Sequence, residues 1–306
     1  MTDVLHANEV MVISRRAWES TALATHFGAA SADCASIVVM PDPGDEHRAG
    51  RTGQRHPSTA AEVFQPVVDW LRTWAPAAAL HIDDGHRRRG SPPCAVTVNL
   101  REQSALFGLQ GRRYHSAEAD TRETNRHHTG AVHEYTFSAT VLRSDMIVTV
   151  PKLKTHGKAG INASMTNAIN LAADPNLLPQ YTMGTPKTGG DAYRSSSARF
   201  RLESVMMAAA RPVVSRVVRL ADSRGTADLL DGLTLSRDPR SVRAGNWFGN
   251  DTLWRTILDV NRALRYAQAD GTLATTPQRR TFSIVNALVS GDGEAPILPT
   301  RSKPTW

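Results

Sequence analysis

Met146 to Val150 form a nearly continuous apolar run that stops at Pro151. A run of that length suits a buried strand and is too short for a helix, and proline ends it because it cannot donate into a sheet ladder. Lys152, Lys154, His156 and Lys158 then crowd into seven residues, with Gly157 and Gly160 beside them. Ala163 to Leu171 reads as a helix whose apolar face is Met165, Ala168, Ile169 and Leu171. The pattern is strand, basic loop, helix. In an open α/β sheet ligands bind beyond the carboxyl ends of the strands, where the next helix offers unpaired N–H groups. A solvated basic turn is the competing reading. Extended backbone projects residues 152, 154, 156 and 158 to one side, so Lys154 and His156 are expected to line the principal pocket, with Lys152 and Lys158 binding substrate.

The fold class that follows is α/β, a mostly parallel sheet flanked by helices with long irregular loops. At 306 residues the chain can form one such domain over 1–306, and a division into 1–94 and 95–306 is the alternative. The formal charge of +7 suits anionic small molecules. No aromatic-interleaved basic helix or RNA-binding signature points to nucleic acid. Cys34 and Cys94 have no C-x-x-C spacing, which excludes an iron–sulfur cluster and a thiolate zinc site. The start, MTDVLHANEV, has neither a basic n-region nor an apolar h-region, and no apolar run approaches a membrane span. A cytoplasmic location is expected, without membrane contact.

Along the chain, Glu9–Ser14, Ala35–Met40, Leu80–Asp83, Ala95–Leu100, Tyr135–Thr140 and Thr281–Val289 read as further strands. Arg16–Phe27, Thr59–Trp74 and Phe200–Leu220 read as helices, the last two interrupted by Pro66 and Pro212. Asp45–Ser58 is polar and reads as a covering loop, and the cluster His86 to Arg89 follows a strand as the lysines do. The best helix begins after Asn246-Trp247-Phe248-Gly249-Asn250-Asp251, with Leu253, Ile257, Val260, Leu264 and Ala267 as its buried stripe. Asn250 or Asp251 can cap it, and Asp259 and Arg262 are placed as a surface pair. Asn246, Asn250 and Asp251 precede a helix whose first N–H groups have no partner in the ladder, and Glu294 follows the last strand. His127, His128, His133 and Glu134 are the densest group of metal-ligand types. Extended backbone makes the two adjacent histidines point apart, so at most one of them joins His133, and a divalent metal on His128 and His133 is the candidate.

PKLKTHGKAG followed by an Asn-containing helix resembles the signature of domain-of-unknown-function family 362 (DUF362), and so do Asp174–Tyr193, Gly245–Leu264 and Ile284–Pro299. The four blocks stand in the family's order and cover the chain from about Val96 onward. The resemblance implies architecture and the place of a site, because the family carries no settled common activity. Asn162 and Asn167 lie in the signature stretch and are assigned to substrate binding with Asn246, Asn250 and Glu294. The chain departs from the pattern at Thr166-Asn167, where relatives have Lys-Asn, at Pro175 after Asp174, where they have lysine, and at Pro179-Gln180-Tyr181, where they have Pro-His-His.

No serine elbow, Walker loop or G-x-G-x-x-G fingerprint occurs, so serine hydrolases, P-loop kinases and standard NAD dehydrogenases fall away. The first expectation is an enzyme of lyase, isomerase or cyclase type acting on an anionic metabolite by proton transfer, with Lys154, His156 and Asp251 catalytic. A metal-dependent oxidoreductase or hydrolase is second, and a non-catalytic binding protein third. The expected partner is a small-molecule substrate, with a second copy of the chain as an option.

Overall fold

The computed structural model describes residues 34–42, 61–83, 94–109, 113–116, 121–206, 244–292 and 300–302. The strand and helix expected before residue 28, the polar stretch 45–58, the cluster at 86–89, the helix beyond 206 and the turn carrying Glu294 lie outside them. In order the elements are β1 (Ser36–Pro41), α1 (Ala61–Trp74), β2 (Ala79–Ile82), β3 (Ala95–Asn99), β4 (Tyr114–His115), α2 (Thr121–Arg126), β5 (His128–Thr129), β6 (Val132–Ser138), α3 (Ala139–Arg143), β7 (Met146–Val150), β8 (Lys152–His156), β9 (Gly160–Asn162), α4 (Ser164–Ala168), β10 (Tyr181–Thr182), α5 (Leu253–Tyr266), β11 (Arg280–Ser283), β12 (Asn286–Asp292) and β13 (Thr300–Ser302).

The core is a parallel sheet in the order β11-β7-β1-β2. All five residues of β7 are buried, as are the inner four of β1. Strands covered on both faces need apolar side chains on both, which is why these two read as continuous apolar runs. Ile37, Val39, Met146, Val148 and Val150 pack under Val67 and Leu71 of α1. The opposite face, with Val38, Met40 and Ile147, packs on Ile257, Val260 and Leu264 of α5 and on Tyr135 and Phe137 of β6. This is an α/β fold with helices on both faces of the sheet. From β1 the chain passes through α1 to β2 on one side, and later fills β7 and β11 on the other. The order of strands therefore reverses between β1 and β7, and such a switch point leaves a crevice at the strands' carboxyl ends.

Beyond that edge the basic run is a strand rather than a loop. β8 pairs in parallel with β12 and antiparallel with β9, in a sheet ordered β13-β12-β8-β9. Pro151 ends β7 but its carbonyl accepts the Asn286 N–H at 2.8 Å, so two neighbouring chains step together from one sheet to the next. For the same reason the single strand expected at Thr281–Val289 is two, β11 and β12, parted at Ile284-Val285. An antiparallel sheet, β3-β6-β5, and a two-stranded pairing of β10 with β4 complete the described pairings.

Asp259 is not on the surface of α5. It is 1% exposed and accepts hydrogen bonds from Ser104 Oγ at 2.5 Å, the Ala105 N–H at 2.6 Å and the Tyr135 hydroxyl at 2.9 Å. Burial pushes its carboxyl pKa up against those three donors. Helical spacing puts Asp259 beside Thr256 and Ala263 on the buried face, and donors make that position tolerable. Among the described residues no helix is long and apolar enough to cross a membrane.

Candidate functional site

Asp42 follows β1 directly, at the carboxyl edge where the switch point lies. It is 5% exposed. Its carboxylate takes the Lys154 ammonium at 3.0 Å and the Asn162 amide at 3.0 Å, with the Lys152 N–H at 3.4 Å. Its own N–H donates to the Val150 carbonyl, tying the ends of β1 and β7 together. In sequence Asp42 reads only as part of a Pro-Asp-Pro-Gly turn. What brings it to the candidate site is the adjacency of β1 to β7, and no local pattern shows that pairing.

Strand alternation carries Lys152, Lys154 and His156 on one face of β8. Lys152 is buried and His156 partly so. The His156 Nδ1 accepts the N–H groups of Lys158 and Ala159 at 3.2 and 3.1 Å, which fixes the ring proton on Nε2. Burial, then the positive charges of Lys158 and Lys154, lower the His156 pKa to about 4. The ring is therefore neutral near pH 7 rather than half-titrated, as its ordinary value suggests. Lys158 Nζ donates to Gln180 Oε1 at 2.7 Å and stands 5.4 Å from the centre of the Tyr181 ring. A Cβ on Gly157 would collide with the Asn246 side chain, so Asn246 lies directly on the β8–β9 turn. The structure thus gathers Lys152, Lys154, His156, Lys158, Asn162 and Asn246, and adds Asp42 and Gln180.

Other expected site residues stand apart from this group. Asn167 is fully buried on α4 and pairs with Asn170, not with the lysines. The N–H groups of Thr252 and Leu253 at the start of α5 are not open to an anion, because Asn250 Oδ1 accepts both, at 3.0 and 2.7 Å. Asn250 also donates to the carbonyls of Gln180 and Gly245. Asp251 does not cap. Its carboxylate, on a side chain 40% exposed, accepts from Arg255 Nη2 at 3.0 Å and Trp254 Nε1 at 3.2 Å. Asn250→Ala is accordingly expected to lose about 2 kcal/mol in urea unfolding, the upper end for a cap, whereas Asp251→Asn changes stability by less than about 0.5 kcal/mol. The reverse ranking would show that Asp251 anchors the helix.

Between β5 and β6, His128 rather than His127 joins His133, as its cross-strand partner. His127 points away, with Nδ1 2.5 Å from Glu134 and Nε2 3.0 Å from Glu123. Burial lowers the His128 pKa to about 3 and lowers that of His133 as well. The Gly130 carbonyl pulls His133 the other way without a hydrogen bond of good geometry. Among the described residues no three His, Cys, Asp or Glu side chains converge on one point to hold a metal ion. A cavity of about 500 Å³ lies elsewhere, lined by Arg113, Thr185, Thr188 and Arg201 among others. Neither Lys154 nor His156 lines it, so it is not the pocket expected for them.

A family model described as "Domain of unknown function (DUF362)" matches residues 47–301. The chain belongs to the DUF362 family. No curated protein and no solved structure matches it. Of the positions where this DUF362 member departs from the pattern, Gln180 belongs to the site and Thr166 adjoins β9. Gln180, where the resemblance places a histidine, holds Lys158. The Thr166 hydroxyl donates to the Ile161 carbonyl of β9 at 2.9 Å, and Pro175 opens a short helical turn after Asp174.

Proposed function

We propose that this protein is an enzyme that moves a proton on a small metabolite bearing a carboxylate or phosphate, at the switch point between β1 and β7. The observation that carries the reading is His156, a neutral imidazole wedged among lysines with its Nδ1 held by two backbone N–H groups. A neutral imidazole so held offers Nε2–H to a carbonyl oxygen that gains charge as a neighbouring C–H is lost. Lys158 then receives the anionic group. Lys154 passes one proton to the Asp42 carboxylate that it pairs with at 3.0 Å and, as the amine, takes the proton lost from the C–H, so that the ammonium is restored. Elimination, isomerisation and cyclisation share that carbanion-like step, and the reading extends to each of them.

Isotope exchange tests it. A panel of carbonyl compounds carrying carboxylate or phosphate is incubated with the protein in D₂O, and loss of C–H signals is followed by proton NMR. Exchange into at least one compound is expected, slowed about 10²- to 10³-fold in His156→Ala, the usual loss for one such donor, with the melting temperature checked in parallel. A wild-type protein that binds members of the panel yet exchanges no proton is a binding protein. Unslowed exchange in a folded His156→Ala would remove His156 from the chemistry.

A further inference from the structure

Between β5 and β6 the protein buries ring nitrogen atoms that no group among the described residues satisfies with good geometry. His128 and His133 are each 3% exposed, and their ring centres lie 5.9 Å apart with the planes tilted by 37°. His128 Nε2 stands 3.0 Å from the Leu177 carbonyl, which can only accept, so that nitrogen carries the proton and Nδ1 keeps the lone pair. Among the described residues this Nδ1 and both ring nitrogens of His133 have no hydrogen bond of good geometry, and the Gly130 carbonyl lies near the His133 ring. The two rings therefore do not bond to each other. An unpartnered buried polar atom costs about 1–3 kcal/mol, and in a native protein it points to a water or an ion. The surrounding walls are aromatic. Phe107 meets His133 edge-on, and Tyr135 and Tyr114 flank His128 at 5.1 and 6.2 Å. The Tyr135 hydroxyl is already committed to Asp259.

We propose that His128 and His133 form a two-coordinate site for a soft monovalent d¹⁰ cation, for which copper(I) is the biological choice. Metal–nitrogen bonds of about 2 Å on either side of one ion place bridged imidazole centres roughly 6 Å apart, and the observed separation is 5.9 Å. A ligating histidine typically donates its other N–H to a backbone carbonyl, which orients the ring and strengthens it as a ligand. Leu177 does this for His128. Zinc takes four ligands in structural sites and three plus water in catalytic ones, and among the described residues no third His, Cys, Asp or Glu reaches this place. Low coordination in an apolar shell is what a d¹⁰ monovalent ion accepts and a divalent one does not. Binding is ligation alone, with no electron transferred.

The site is independent of the proton-transfer chemistry, and its test is an anaerobic copper(I) titration of the full chain against a chromophoric copper(I) chelator. The titration uses a Cys94→Ser background, because Cys94 is an exposed free thiol and thiolates are soft ligands that select copper(I). One equivalent is expected to bind, with X-ray absorption showing two nitrogen neighbours. His133→Phe keeps the ring volume and removes the nitrogens, so it is expected to fold and to bind at least about a hundredfold more weakly, beyond the usual loss for an outer-shell partner. Equal affinity in His133→Phe, no binding by the parent, or zinc bound as tightly as copper(I) would each overturn the proposal. If His133→Phe does not fold, the absorption spectrum of the loaded parent decides, since sulfur neighbours would place the ion elsewhere.

Discussion

Lowering the pH from 7 to 4.5 is expected to remove on the order of 5 kcal/mol of stability, most of a typical folding free energy. The source is three histidines kept neutral by the fold. His128 and His156 have pKa values lowered to about 3 and about 4, and His133 is lowered too. Desolvation is the largest cause in all three. His127 and His133 add to it at His128, and Lys158 and Lys154 at His156. In the unfolded chain each ring titrates near its ordinary value of about 6.5. Below that pH the unfolded state takes up protons that the folded state refuses, so the contribution is complete above about 6.5 and drains away as the pH falls toward 4. Each histidine adds up to about 1.4 kcal/mol per pH unit across that window. Asp259 works in the opposite sense near its lower end, because its raised pKa lets the folded state bind a proton early. Urea midpoints measured at half-unit steps should trace this decline, and His128→Phe should shallow it by about one proton. A midpoint unchanged between pH 7 and 5 would mean that these rings are not held neutral.

The parallel sheet was legible because its chemistry is local. A strand buried on both faces must be almost wholly apolar, and Ile37–Met40 is, as is Met146–Val150 but for Thr149. The periodic stripe of α5 was legible for the same reason, since one covered face fixes Leu253, Ile257, Val260 and Leu264. Strand alternation also parted His127 from His128. The strand character of Lys152–His156 was hidden, because its parallel partner β12 is supplied by a distant segment, β9 is only three residues long, and the run is too polar to announce a sheet. Asp259 was hidden too. A carboxylate at helical spacing from an arginine looks like a surface pair until Ser104, Ala105 and Tyr135 close over it. The candidate site was half visible: its cations come from one stretch, whereas Asp42, Asn246 and Gln180 come from three others that only the topology unites.

Asp42→Ala is expected to cost about 3–5 kcal/mol, the range for breaking a buried ion pair from one side. The Asp42 side chain is 4% exposed and that of Lys154 17%, so removal of the carboxylate strands an ammonium with little access to water. The Asn162 amide loses its acceptor as well, and so does the Lys152 N–H. Lys154→Met alone should be milder, since the Asn162 amide and the Lys152 N–H still satisfy the carboxylate it leaves. The double variant separates charge from packing. With both members gone no charge is left buried, and replacement of a buried pair by apolar side chains is often close to neutral. The pair should therefore be more stable than Asp42→Ala alone, by at least about 1 kcal/mol of coupling between groups in contact, in equilibrium urea unfolding. If the losses simply add, the 3.0 Å contact contributes nothing and Asp42 matters only for its backbone position. The double variant also divides stability from chemistry. It should fold yet lack the proton exchange of its parent, because a methionine at 154 can neither carry a proton nor stabilise the charge that develops beside His156.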